Sequence, residues 1–347
     1  MELGAKDYGE LIEDVMNKRI TLRELANNLD LSISTVSKSL SGSSEISEDT
    51  KRKVIQLATD LNYSPNYHAS RLKTGSSMAI GVILPSILNP YYAKLLSGIE
   101  KVLAESNYKM ITLFSEDSRR KEEDCLYRVL DGSVEGIIIC MARETQLSGK
   151  IQHLQQYGAK RIPKVFVDRL YDLIKADQVV SNDMESAHEA SNRLLEKYKL
   201  KNLIFTSLMG DIEIERLRFQ GYALSMVRHG LENKINALMI SNLSEFQRHL
   251  TRLLKEQAVD GIFCANESTL KLVLEIMRNQ DTNGWGTIPV TAFSGSAVKK
   301  LSNYPLLHII DQCAEKIGRQ AAGLLLRRVE FGYDKRFKIK EVKTKII

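Results

Sequence analysis

From Met78 onward the chain repeats one pattern, a short apolar run followed by a longer segment whose apolar side chains recur every three or four positions. Continuous apolar runs read as strands buried on both faces, and a 3.6-residue stripe reads as an amphipathic helix, so the alternation predicts parallel sheets covered by helices. Strands are expected at Ala79–Leu84, Lys109–Phe114, Gly136–Cys140, Lys164–Val167, Val179–Ser181, Asn202–Ser207, Asn236–Ile240, Gly261–Ala265, Pro289–Phe293 and Leu307–Ile310. Helices are expected near Tyr91–Ser106, Lys121–Leu130, Gln146–Tyr157, Ser186–Tyr198, Glu215–His229, Ser244–Gln257, Glu267–Arg278 and Ala314–Arg328. That many strands exceed one comfortable sheet, which favours an α/β core of two doubly wound lobes with a ligand cleft beyond the carboxyl ends of the strands.

The segment Thr21–Leu40 has a different texture. Leu22, Leu25, Ala26 and Leu29 recur at helical spacing, Asp30 breaks the pattern, and a second helix starts at Ser32. In that second helix Val36 and Leu40 share one face, while Ser34, Ser37, Lys38 and Ser41 crowd the other. Small hydroxyls and one cation suit a major groove, where short donors and acceptors reach base edges and phosphates. Ser47 then caps a helix from Glu48 to about Leu61, whose Val54, Ile55, Leu57, Ala58 and Leu61 can close a three-helix core. Pro65 breaks that helix, Asn66–Lys73 is a short potential helix, and Thr74-Gly75-Ser76-Ser77 is a linker.

Composition removes several function classes. The 347 residues, 43% of them hydrophobic, contain no apolar run near the ~18 residues that span a bilayer. The acid-rich stretch before Lys18 lacks the plan of a signal peptide, so a cytoplasmic location is expected. Cys125, Cys140, Cys264 and Cys313 are widely spaced with no CxxC, which predicts buried free thiols. Net charge is +6; Lys18–Lys73 holds nine basic and six acidic residues, and the tail from Lys335 alternates six basic residues with apolar ones in an edge-strand pattern. There is no GxGxxG, GxxxxGK[ST], GxSxG or HExxH, and the six histidines are dispersed, so neither enzyme, metal nor cofactor is expected.

These parts, in this order, resemble the LacI/GalR family of bacterial transcription regulators over nearly the whole chain. Ala26, Leu31-Ser32, Thr35-Val36-Ser37 and Leu40-Ser41-Gly42 follow the family headpiece, with Lys38 in place of an arginine and Asp30 where the family has glycine. Leu61-Asn62-Tyr63, Pro65-Asn66, Ala69, Arg71-Leu72 and Thr74-Gly75 match the third helix and hinge, and Ile80-Gly81-Val82, Asn89-Pro90-Tyr91-Tyr92 and Gly98-Ile99-Glu100 open the core.

The resemblance implies a helix-turn-helix headpiece over 1–64, a hinge and linker over 65–77 and an effector-binding core over 78–347. The first lobe would take about 78–178 and 309–328, the second about 179–308 and 329–347. It implies a repressor acting as a homodimer on a near-palindromic double-stranded operator. Ile33, Ser34 and Lys38 would face bases and Ser32, Thr35 and Ser37 the DNA backbone, with Lys38 open to either a base or a phosphate. Leu72 would wedge into the minor groove beside hinge residues Asn66 and Ala69. The effector site maps to Tyr91, Tyr92, Asp168, Arg169, Arg218, Asn266 and Ser294, suited to a carbohydrate. Two departures bear on it: Ala292-Phe293-Ser294-Gly295 lacks an aspartate the family usually has, and Asn182-Asp183 inverts the usual order. Arg143, Arg169 and Arg218 follow strand ends or enter the cleft, so two effectors stay open, an anionic sugar held by converging guanidiniums or a neutral sugar with the arginines paired to acids.

Overall fold

The computed structural model describes residues 20–63, 76–155, 162–169, 171–256, 258–279, 286–295, 303–332 and 336–347. They fall into two units divided after Ser76. The expected hinge residues Asn66, Ala69 and Leu72 lie outside the described residues.

In the first unit, helices α1 (Leu22–Asn28), α2 (Ile33–Leu40) and α3 (Glu48–Asp60) enclose Leu25, Ala26, Val36, Val54 and Ala58. Each begins on a hydroxyl: Thr21 forms a capping box with Glu24, Ser32 Oγ accepts from Thr35 N at 3.0 Å, and Ser47 Oγ accepts from Thr50 N at 3.3 Å. Asp30 takes the turn at φ 51°, a conformation that its short side chain tolerates. Ile55 faces outward at 52% exposure, because it lies about 100° round the helix from buried Val54.

The second unit has strands β1 (Ala79–Leu84), β2 (Lys109–Phe114), β3 (Gly136–Ile139), β4 (Lys164–Val167), β5 (Asp177–Ser181), β6 (Leu203–Ser207), β7 (Asn236–Met239), β8 (Gly261–Cys264), β9 (Val290–Phe293), β10 (Leu307–Asp311), β11 (Ile339–Val342) and β12 (Lys345–Ile346). Its helices are α4 (Pro90–Glu105), α5 (Arg119–Val129), α6 (Arg143–Ser148), α7 (Gln152–Gln155), α8 (Asp183–Tyr198), α9 (Glu213–Arg228), α10 (Leu243–Lys255), α11 (Glu267–Asn279) and α12 (Ala314–Phe331). One sheet runs β11-β5-β4-β3-β1-β2, all parallel; the other runs β12-β10-β9-β8-β6-β7, parallel except for β12. The expected two doubly wound lobes are therefore present.

Lobe boundaries differ from those read in the sequence. β5 begins at Asp177 and belongs wholly to the first sheet, β10 stays in the second to Asp311, and β11 returns to the first. The sequence pattern starts this first-sheet strand only at Val179; Asp177, two residues earlier, is fully buried within it, gripped by Arg328 of α12 through two hydrogen bonds of 2.7 and 3.0 Å. The single helix expected over Gln146–Tyr157 is two short ones, since Gly149 ends α6 at φ 65°.

The chain crosses between lobes at three places that are stitched together. Asn182 N–H donates to Val342 O at 3.3 Å, its Oδ1 accepts from Thr344 N at 3.0 Å, and Gln312 Nε2 donates to Ser181 Oγ at 3.3 Å. The third crossing launches α12, whose Ala314, Ile317, Ala321, Ala322, Leu324 and Leu325 complete the first lobe's core. α12 approaches α4 closely enough that a Cβ on Gly98 would stand 2.1 Å from Glu315 O and one on Gly318 2.2 Å from Leu95 O.

Asp177→Asn should cost about 3–5 kcal/mol by leaving Arg328 buried without its counter-charge, read as a lower urea midpoint. The paired change Asp177→Leu with Arg328→Met should cost less than the single one.

Candidate effector cleft and DNA-facing helix

Strand carboxyl ends from both lobes line a cavity of about 110 Å³. Tyr91, Tyr92, Asp168, Arg169, Arg218, Asn266 and Ser294 all reach it. The site residues expected of the core are thus brought together.

Local structure explains each placement. Asn89 caps α4 by accepting from Tyr91 N at 3.0 Å, and Pro90 presets the first turn, so the two tyrosines enter at the helix start. Their rings meet edge-on at 5.2 Å. Burial pushes both phenols well above their ordinary pKa, keeping them protonated as potential donors. Asp168 follows β4 at φ 69° and accepts from Tyr92 Oη at 3.3 Å. Asn266 spends its Oδ1 on Thr269 N and Oγ1, both at 2.8 Å, which leaves its NH2 group to offer to the cleft.

The arginines do not form a cationic cluster. Arg169 is buried and grips Asp117 through Nη1 and Nη2 at 2.5 and 3.3 Å, while Nη1 also donates to Met141 O at 2.8 Å. Arg218, 2% exposed, donates from Nε to Asp183 Oδ1 at 2.7 Å and from Nη1 to Ala265 O at 2.5 Å, with its guanidinium 3.8 Å over the Phe293 ring. Arg143 does not line the cavity. It lies instead against Gly210 of the second lobe, where a Cβ would stand 2.3 Å from its Nη2. The first turn of α6, which carries it, is fixed by carboxylates: Asp117 accepts from Arg143 N at 2.8 Å, and buried Glu122 accepts from Ala142 N, from Thr145 Oγ1 at 2.8 Å, and bonds His153 Nε2 at 2.6 Å.

Sequence reasoning missed several lining residues. Glu267, beside Asn266, accepts from Ser294 Oγ at 2.8 Å and pairs with Lys271 at 2.9 Å, so a carboxylate stands next to the position where the family's usual aspartate was missing. Lys94, Asp311 and Gln312 also reach the cavity. Asp117 follows a strand's carboxyl end, where ligands sit in doubly wound folds, and that signal could have found it. Three cations and three acids line the space; counting the partners Asp117, Asp183 and Lys271 gives four positive charges against five negative.

In the first unit Ser32, Ile33 and Ser34 are exposed, and Thr35, Ser37 and Lys38 half-exposed, on one end and side of α2. Ser32 Oγ and Thr35 Oγ1 lie 2.8 Å apart, so these hydroxyls serve the cap as well as any outside partner. Lys38 is not free: its ammonium is ion-paired with Glu45.

Residues 77–345 match the family model of periplasmic binding proteins and the sugar binding domain of the LacI family, and residues 21–66 match that of the bacterial regulatory proteins of the lacI family. The chain belongs to the LacI family. It is 29% identical to the sucrose operon repressor of Lactococcus lactis subsp. lactis over 90% of this chain and 94% of that one. It is 27% identical to the ribose operon repressor of Bacillus subtilis over 88% and 90% respectively. The lac repressor dimer bound to operator and the anti-inducer ONPF shares the fold, with a TM-score of 0.78 at 17% identity over 95% of this chain and 98% of that one. As a LacI-family member, the chain pairs a helix-turn-helix DNA-binding headpiece with a sugar-binding effector domain.

The Asp117 carboxyl would be raised by burial, but the charge and hydrogen bonds of Arg169 and the Arg143 N–H outweigh this and hold it below its ordinary value. A depressed carboxylate stabilises the fold above its ordinary pKa, and that contribution is lost as pH falls through the depressed value. The stability gap between the native chain and Asp117→Asn should therefore be constant from neutral pH down to about 5 and close below about pH 4. Urea unfolding across that range measures it.

Proposed function

We propose that the protein is a cytoplasmic transcription repressor that binds a near-palindromic DNA operator as a homodimer and responds to a neutral carbohydrate held between the core lobes. The headpiece would comprise residues 1–64, the hinge and linker 65–77 and the core 78–347, with Tyr91, Tyr92, Asp168, Arg169, Arg218, Asn266 and Ser294 as effector contacts. Ser32, Ile33, Ser34, Thr35, Ser37 and Lys38 would contact DNA, joined by Asn66, Ala69 and Leu72 from the hinge. The protein would bind its effector without transforming it. No helix among the described residues is long and apolar enough to cross a membrane.

The observation that carries this reading is the meeting of aromatic, amide, hydroxyl and paired ionic groups from both lobes in one cavity. Such a lining donates to and accepts from several hydroxyls at once while a tyrosine stacks on a ring. The pairing of Arg169 with Asp117 and Arg218 with Asp183 favours a neutral ligand over a sugar acid, because the surplus positive charge that would hold a carboxylate or phosphate is already neutralised. A ligand touching both lobes stabilises one angle between them, and the DNA-binding unit is joined to the first lobe through the chain that leads into β1.

Calorimetric titration with neutral sugars and their acid and phosphate forms tests the proposal. A neutral sugar should bind and its anionic forms should bind more weakly; a preference for an anion would sink the neutral-effector reading. Asn266→Ser, which can still cap α11, should weaken the binding about tenfold, the value of roughly one hydrogen bond, with the melting temperature held.

A further inference from the structure

Lys38 is the one cation of α2, and Glu45, seven residues on, holds it. The intervening loop is folded back on the helix, with Ser43 N–H donating to Lys38 O at 3.0 Å and Glu45 N–H to Ser43 Oγ at 3.3 Å. Both partners stay open to solvent, at 45% and 66% side-chain exposure. The same pairing recurs on α3, where Lys51 meets Glu48 at 2.7 Å and Lys53 meets Asp49 at 3.1 Å. Residues 20–63 hold five basic and six acidic side chains. Affinity for DNA regardless of sequence comes from cations that replace counterions on phosphates, and here the cation best placed to do so is already balanced.

Resting on the DNA-binding reading above, we propose that Glu45 is a specificity-determining residue: it withholds Lys38 from the phosphates of non-operator DNA and yields it where a base edge offers a stronger partner. An exposed ion pair is worth about 0.2–1 kcal/mol, so a phosphate that captures Lys38 loses that much and also brings its own negative charge toward a carboxylate. A well-placed base contact, such as an ammonium on guanine O6 and N7, is worth about 1–3 kcal/mol and outweighs the same loss. The cost of opening the pair is common to both complexes; only a phosphate drawn in by Lys38 also comes to lie against the Glu45 carboxylate, and that added repulsion, absent from a base contact and absent when Lys38 is removed, is what discriminates.

The full-length chain is first used to select a tight-binding duplex from a random-sequence library. Fluorescence anisotropy then compares that duplex with a scrambled one across 50–200 mM KCl. Glu45→Gln should bind the scrambled duplex about 1.5- to 5-fold more tightly, with a log-affinity against log-salt slope steeper by about 0.9, the release of one further counterion. The selected duplex should gain less, so the ratio between the two falls. Lys38→Gln should abolish the effect of Glu45→Gln in the double variant. Unchanged scrambled-duplex affinity and slope would overturn the proposal, as would an effect that persists without Lys38, which would mean that Glu45 repels phosphate directly. If no duplex is selected and none binds in a salt-dependent way, the DNA-binding reading falls and this inference with it. Glu45 is exposed, so a shared melting temperature verifies that the variants are equally folded.

Discussion

Asn182 sits where the chain leaves the first sheet for the second, and its N–H and side-chain oxygen also hold the strand that passes back between them. With Gln312 bonded to Ser181 at the remaining crossing, the three connections form one strip tied by backbone and side-chain hydrogen bonds. A single connection would let the lobes twist and slide. A strip of three restrains them to bending about it, so a ligand in the cleft has one soft coordinate to act on. The inversion to Asn182-Asp183 fits this arrangement: the amide ties the crossing, and the carboxylate beside it turns inward to Arg218.

Buried charge in the effector unit follows one rule. Arg169, Arg218 and Arg328 each have a dedicated carboxylate, in Asp117, Asp183 and Asp177. Burying an isolated guanidinium would cost more than any one contact returns, whereas a paired and hydrogen-bonded one positions what surrounds it. Arg218 consequently sits over the Phe293 ring and shapes the cavity wall rather than waiting as a free cation. The cavity gains shape and hydrogen bonds at little net charge.

The two-lobed fold was plain in the alternation of apolar runs and amphipathic stripes, because every parallel strand must be covered on both faces. Asp30 announced its positive φ by standing at a helix break where the family has glycine. The seven residues proposed to contact effector came from matched motifs and reach one cavity. What the sequence hid was pairing at long range. Asp177 disguised the start of β5 because its partner Arg328 lies 151 positions away. Whether Arg169 and Arg218 stood free or paired stayed open, because Asp117 and Asp183 meet them only in the folded chain. Gly149 ended a helix inside a periodic stretch, a local signal that was present and outweighed by the period.

α12 belongs to the first lobe's core, yet Asn182–Cys313, 132 residues that build most of the second lobe, separate it from the strands it covers. At a ribosomal pace of about 5–20 residues per second, β3, β4 and β5 emerge roughly 7–26 s before α12 can shield Ile138, Val165 and Val179. During that interval α4 is the helix on hand to cover that face of the sheet, and the part α12 will occupy stays open. The connectivity that gives the finished protein its hinge therefore gives the growing chain an interval in which part of its apolar core is open to other chains.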